Sequence, residues 1–75
     1  MKASEKFGIR LKALRREFNL TQRQLALMVG VSPQQISNYE TGTCDNPTPS
    51  VMDKIAQGLG ISLSELLDGV DSDPE

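Results

Sequence analysis

Seventy-five residues, 37% of them hydrophobic and 24% charged, make one small domain near the lower size limit for independent folding. The lone Cys44 excludes an internal disulfide, the lack of histidine leaves little for a zinc site or a general base, and no run is long enough to span a membrane. With a net charge of only −2 and no signal-peptide pattern, the expectation is a cytoplasmic, non-enzymatic protein without metal or cofactor.

In chain order the sequence predicts an all-α domain of about five short helices over 1–70, followed by an acidic tail at 71–75. Ser4 is the expected cap of the first helix. Phe7, Leu11, Leu14 and Phe18 follow at helical spacing as one apolar stripe, with Ile9 on the opposite side. Asn19 tolerates the left-handed conformation that stops a helix. Thr21 and Gln24 form a capping box for a second helix, whose core face is Leu25 and Val29. Ala26 is small where two helices would cross closest, and Leu27 lies opposite Leu25. Gly30 ends that helix and turns the chain.

Ser32 and Gln35 repeat the capping pattern, with Pro33 at the first helical position, where no N–H is needed. At about 100° per residue, Ile36, Tyr39 and Glu40 share one side of this third helix, over 32–41. Gln34 and Asn38 lie opposite, flanked by Gln35 and Ser37. The stretch 43–49 is a loop by its two prolines and its Asp45-Asn46 pair. Ser50 is the expected cap of a fourth helix with Val51, Met52, Ile55, Ala56 and Leu59 on one broad face, weakened slightly by Gly58 and stopped by Gly60. Ser62 and Glu65 make a further capping box. It opens a short helix carrying Leu63, Leu66, Leu67 and Val70, which Gly69 ends.

Residues 21–42 therefore read as two short helices joined by a tight turn, the second with amides and hydroxyls on its outer face. Gln and Asn both donate and accept, a bidentate match to the edge of adenine. A solvated surface gives the same composition, but this face sits at the start of a capped helix. Charge is divided along the chain. Up to Gly42, Lys2, Lys6, Arg10, Lys12, Arg15, Arg16 and Arg23 oppose three acids; from Thr43 onward Lys54 opposes seven. One half can face phosphate while the other faces away, although an acidic tail on an ordinary domain gives the same split.

Leu20-Thr21-Gln22, Leu25-Ala26, Gly30-Val31-Ser32, Ile36, Tyr39-Glu40 and Gly42 resemble the phage repressor and Cro-like, or xenobiotic-response-element, family of helix-turn-helix regulators. The pattern extends to Arg15 upstream and to Ile55-Ala56, Leu59, Ile61 and Leu66-Leu67 downstream, nearly the whole chain. The resemblance implies a lambda-repressor-like domain that acts as a DNA-binding transcriptional repressor, its third helix in the major groove. Ser32, Pro33, Gln34, Gln35, Ser37 and Asn38 are then the expected base-reading set. Gln22 is the implied phosphate contact at the start of the second helix. Arg23 is a second backbone contact or a solvated side chain. Arg15 is implied to pair with Glu40 and tie the first helix to the third, the competing role being a phosphate contact.

The chain departs from the family pattern in two places. Asn19 stands where many relatives have Gly, and the 43–49 loop lacks Lys and Arg while carrying Asp45. Thr43, Asn46 and Thr48 remain as neutral backbone contacts, which release no counterions. Cys44 is incidental rather than a sensor, since no activating neighbour accompanies it. Family members usually dimerise on two half-sites of double-stranded DNA, a palindromic operator, and the seam expected here is Leu67 and Val70, with Leu63 and Leu66 in the monomer core. The alternative is a protein-interaction module, as in antitoxin members of the family, for which exposed Ile9 and Leu27 would form the partner surface.

Overall fold

Backbone groups left open at helix ends must be closed locally, and those closures set where the helices begin and stop. The computed structural model describes residues 3–43 and 47–68, with side chains from Lys6 onward. Five helices and no strand make up the described residues: α1 Ala3–Glu17, α2 Gln22–Val29, α3 Pro33–Thr41, α4 Pro49–Leu59 and α5 Leu63–Leu66. Cys44, Asp45, Asn46, Gly69, Val70 and the 71–75 tail lie outside the described residues.

The capping boxes at Thr21 and Ser62 are both complete. Thr21 Oγ1 accepts from the Gln24 N–H at 3.0 Å, and Gln24 Oε1 accepts from the Thr21 N–H at 2.8 Å. At Ser32 only half a box forms. Its hydroxyl accepts from the Gln35 N–H at 3.1 Å, but the Gln35 amide turns to the Tyr39 hydroxyl instead. Asn19, at φ 58°, is left-handed as expected, as are Gly30, Gly42 and Gly60 behind α2, α3 and α4.

Three expected boundaries shift. Ser4 lies inside α1 rather than capping it. Thr48, not Ser50, caps α4, because Pro49 takes the first helical position and the Thr48 hydroxyl accepts from the Val51 N–H at 3.3 Å. α5 ends at Leu66, one turn long, before it can carry the 63-to-70 stripe expected of it.

The core is built from Phe7, Leu11 and Leu14 of α1, Leu25, Ala26 and Val29 of α2, Ile36 and Tyr39 of α3, Ile55, Ala56 and Leu59 of α4, and Leu66 of α5. Each fully buried large side chain here (Phe7, Leu11, Leu25, Ile36, Ile55, Leu66) contributes roughly 1.5–3 kcal/mol by leaving water. Phe7 meets Tyr39 edge to face, ring centroids 6.4 Å apart. Phe18 falls just past the end of α1 and is exposed, so the stripe ends at Leu14. Leu63, expected in the core, is also exposed, while Leu67 packs partly against the core.

α1 crosses α3 at Gly8. A Cβ there would meet the carbonyl oxygen of Tyr39 and sit 2.6 Å from that of Glu40. Only glycine lets the backbones come this close. The α1–α5 side is fastened by Arg10, whose guanidinium donates to the Glu65 carbonyl from Nε at 3.2 Å and Nη2 at 2.7 Å.

Candidate nucleic-acid interface

α3 divides as its sequence predicts. Ile36, Tyr39 and Glu40 are buried, and Ser32, Pro33, Gln34 and Gln35 are exposed, with Ser37 and Asn38 half-buried. Gln34 Nε2 donates to Asn38 Oδ1 at 3.0 Å, so the two amides expected to read bases form one bonded pair on the outer face. Gln35 Nε2 donates to the Tyr39 hydroxyl at 2.9 Å, which leaves its oxygen and one N–H for another partner.

Behind this face sits a charged lock. Arg15 Nε donates to Glu40 Oε2 at 2.6 Å and Nη2 to Oε1 at 3.1 Å, a bidentate pair with the Glu40 side chain 2% exposed. Arg15 Nη1 also donates to the Leu20 carbonyl at 2.8 Å, just ahead of α2. The ion pair implied by the family pattern is therefore present. Gln22 joins it, its Nε2 donating to Glu40 Oε1 at 3.0 Å. One carboxylate thus ties α1, α3 and the first residue of α2 together. Gln22 keeps one N–H to donate to an acceptor outside the domain, whereas its oxygen can only accept.

Gln22 and exposed Arg23 line an open depression of about 610 Å³ with Arg15, Leu20, Thr21 and Pro33. The start of α2 and the start of α3 therefore meet at one place, where open backbone N–H groups and the helix dipole favour an anion. Thr43 lies at the other end of α3, about 12 Å along the helix axis. Both Thr43 and Thr48 are exposed, and Asn46 is outside the described residues. Of the described candidate backbone contacts, Gln22 and Arg23 thus lie in the depression beside Pro33, and Thr43 follows the end of α3.

Three features went unseen in the sequence. Thr41 Oγ1 donates back to the Ser37 carbonyl at 3.0 Å and lies 2.6 Å from Thr43 Oγ1, which holds the C-terminal end of α3 against the following loop. A threonine in a last helical turn is the available signal for this back-bonding. Nothing near Gly8 in the sequence signals its close approach to α3, because the carbonyls it meets are far away along the chain. Met28, 46% exposed, joins Leu27, 79% exposed, on the outside of α2, so the apolar surface there is larger than one residue. Ile9 is exposed as expected.

A family model described as a helix-turn-helix domain matches residues 8–72. The chain is similar to the HTH-type transcriptional repressor RghR of Bacillus subtilis, 43% identical over 63 residues, which are 84% of this chain and 47% of that protein. It thus spans about half the length of that relative. Its fold is similar to the restriction-modification controller protein C.AhdI from Aeromonas hydrophila. The TM-score is 0.79 at 33% identity, over 84% of this chain and 94% of that one. It is likewise similar to SinR, the master regulator for biofilm formation solved in complex with DNA. Here the TM-score is 0.76 at 31% identity, over 83% and 98% of the two chains. With its caps, turn and buried α3 face agreeing with this match over most of its length, the chain belongs to the helix-turn-helix domain family.

Proposed function

We propose that this domain is a sequence-specific DNA-binding transcriptional regulator, acting as a repressor, with α3 laid in the major groove. The observation that carries this is the outward amide pair of Gln34 and Asn38 on a helix whose opposite face is buried and locked through Glu40. Rigid presentation matters because base recognition needs donors and acceptors at set positions. Gln34, Gln35 and Asn38 read base edges, with Ser32, Pro33 and Ser37 beside them. Pro33, without an N–H, supplies only shape or apolar contact. Gln22, Arg23, Thr43, Asn46 and Thr48 hold the sugar-phosphate backbone.

The test compares Gln34→Ala with the unaltered chain on selected and on random DNA. The expected loss on the selected site is about 1–3 kcal/mol, with little change on random DNA. Equal loss on both removes the base-reading role.

One such domain spans too few base pairs for strong selection, so two copies bind a palindromic operator about one helical turn apart. The seam we propose is Leu67 with Val70, now joined by exposed Leu63. Leu63→Asp keeps the core intact and is expected to shift sedimentation toward the monomer.

The exposure of Leu27 and Met28 on α2 favours a second reading, a protein-partner surface. DNA binding with weak salt dependence, together with a defined protein complex lost on Leu27→Asp, supports that reading over the first.

A further inference from the structure

α1 carries an apolar residue where neither the core nor the helix needs one. Ile9 is 56% exposed and lies opposite the stripe of Phe7, Leu11 and Leu14 that faces the core. A β-branched side chain is also a weaker helix former than the charged residues around it. A single exposed apolar residue is ordinary on a protein surface, but this one stands between two hollows. Ala13, one turn on and also exposed, is too short to fill the space beside it. On one side Ile9 and Ala13 line a depression of about 250 Å³ with Lys6, Arg10 and Asp68. On the other they line one of about 350 Å³ with Lys12, Arg16 and Glu40.

The charges around these two residues are mostly of one sign. Lys12 and Arg16 are exposed, and among the described residues neither has a hydrogen-bond or ion-pair partner. Arg10 donates to a neutral group, the Glu65 carbonyl, so its charge is kept. The Glu40 carboxylate is taken up by Arg15 and Gln22, which leaves Asp68 as the other acid beside the depressions. Lys6 with Arg10, and Lys12 with Arg16, form two rows of i, i+4 spacing, one on either side of Ile9 and Ala13. From Lys6 to Arg16 the face extends about 15 Å along α1.

We propose that this outer face of α1 docks an acidic amphipathic helix of a protein partner. The partner's apolar stripe packs on Ile9 and into the hollow over Ala13, and carboxylates flanking that stripe meet the two rows of cations. This is helix-in-groove recognition with charge complementarity at its rim. Nucleic acid fits the face less well. Phosphates need cations but no apolar centre. α1 also packs on the buried side of α3, behind the exposed amides. The surface is separate from Leu27 and Met28, which lie on α2, and it does not rest on the base-reading role.

The test is fluorescence anisotropy at low salt with a labelled synthetic helix that has leucines along one face and glutamates on both flanks. Two control peptides carry lysine for every glutamate or serine for every leucine. The glutamate–leucine helix is expected to bind the unaltered chain, and both controls to bind at least about tenfold more weakly. Ile9→Ser is expected to weaken binding about tenfold, as is Lys12→Glu combined with Arg16→Glu. Leu27→Ser is expected to leave it unchanged. The altered side chains are exposed, so thermal unfolding should not move; if Ile9→Ser does shift it, Ile9→Ala, a better helix former, takes its place.

No binding of the glutamate–leucine helix overturns the proposal. So does binding that survives every α1 variant, or that is lost on Leu27→Ser, which moves the contact to α2. Should Lys12→Glu with Arg16→Glu leave peptide binding intact but weaken binding to random DNA, these cations serve phosphate and the proposal fails. The peptide measurement contains no DNA, so its failure is distinct from a failure of base reading.

Discussion

Glu40 is the residue that joins α1, α2 and α3 behind the candidate interface. Its buried carboxylate accepts two bonds from Arg15 and one from Gln22. Removing one member of a buried ion pair strands the other in a low-dielectric site, which costs more than the pair itself contributes. Arg15→Ala is therefore expected to lower unfolding free energy by about 3–5 kcal/mol in urea titration. Gln22→Ala removes one neutral donor from a carboxylate that keeps its guanidinium partner, so its stability loss is expected to be much smaller. If Gln22 holds phosphate as proposed, the same variant weakens binding to selected and random DNA alike.

Helix contacts depend on backbone approach as much as on side-chain volume. α1 and α3 meet at Gly8, where two carbonyl oxygens of α3 occupy the space a methyl group would need. Backbone carbonyls cannot rotate aside as a side chain can. Gly8→Ala is expected to cost about 1–3 kcal/mol, despite the better helix propensity of alanine. The helix ends carry smaller amounts. Thr21→Ala loses a complete capping box and is expected to lower the unfolding free energy by about 1 kcal/mol. Gly58, which seemed only to weaken α4, faces Met28 of α2; a methyl group added at Gly58 would lie 3.6 Å from the Met28 carbonyl oxygen, an ordinary contact.

For the whole molecule, the question is how a chain of net charge −2 would bind the polyanion proposed as its partner. Lys12, Arg16 and Arg23 are exposed in the basic half, and the bulk of the acids lie after Thr43. Few cations stand among the candidate backbone contacts, so binding is expected to release few counterions. Arg23→Ala should therefore reduce the slope of log affinity against log salt by about 1 per domain. An unchanged slope would place Arg23 in solvent rather than on phosphate. The proposed dimer multiplies this weak electrostatic share and supplies selectivity that one domain lacks.

The sequence by itself determined the helices and the sidedness of α3. Caps, glycine stops and 3.6-residue periodicity act over three or four neighbours, so Thr21, Ser62, Gly30 and the buried trio Ile36, Tyr39 and Glu40 were all legible. The Arg15–Glu40 pair was legible only through family resemblance, since nothing local joins positions 25 apart. Tertiary structure alone decided the rest. Gly8 matters because of carbonyls on another helix, and Gln22 faces Glu40 because packing brings the first residue of α2 against the last turn of α3. Phe18 and Leu63 fit their apolar stripes but are exposed, Phe18 just past the end of α1 and Leu63 at the first position of α5. Likewise the Gln34–Asn38 bond was latent in their i, i+4 spacing, but whether two amides bond each other or face solvent separately depends on rotamers that spacing leaves open.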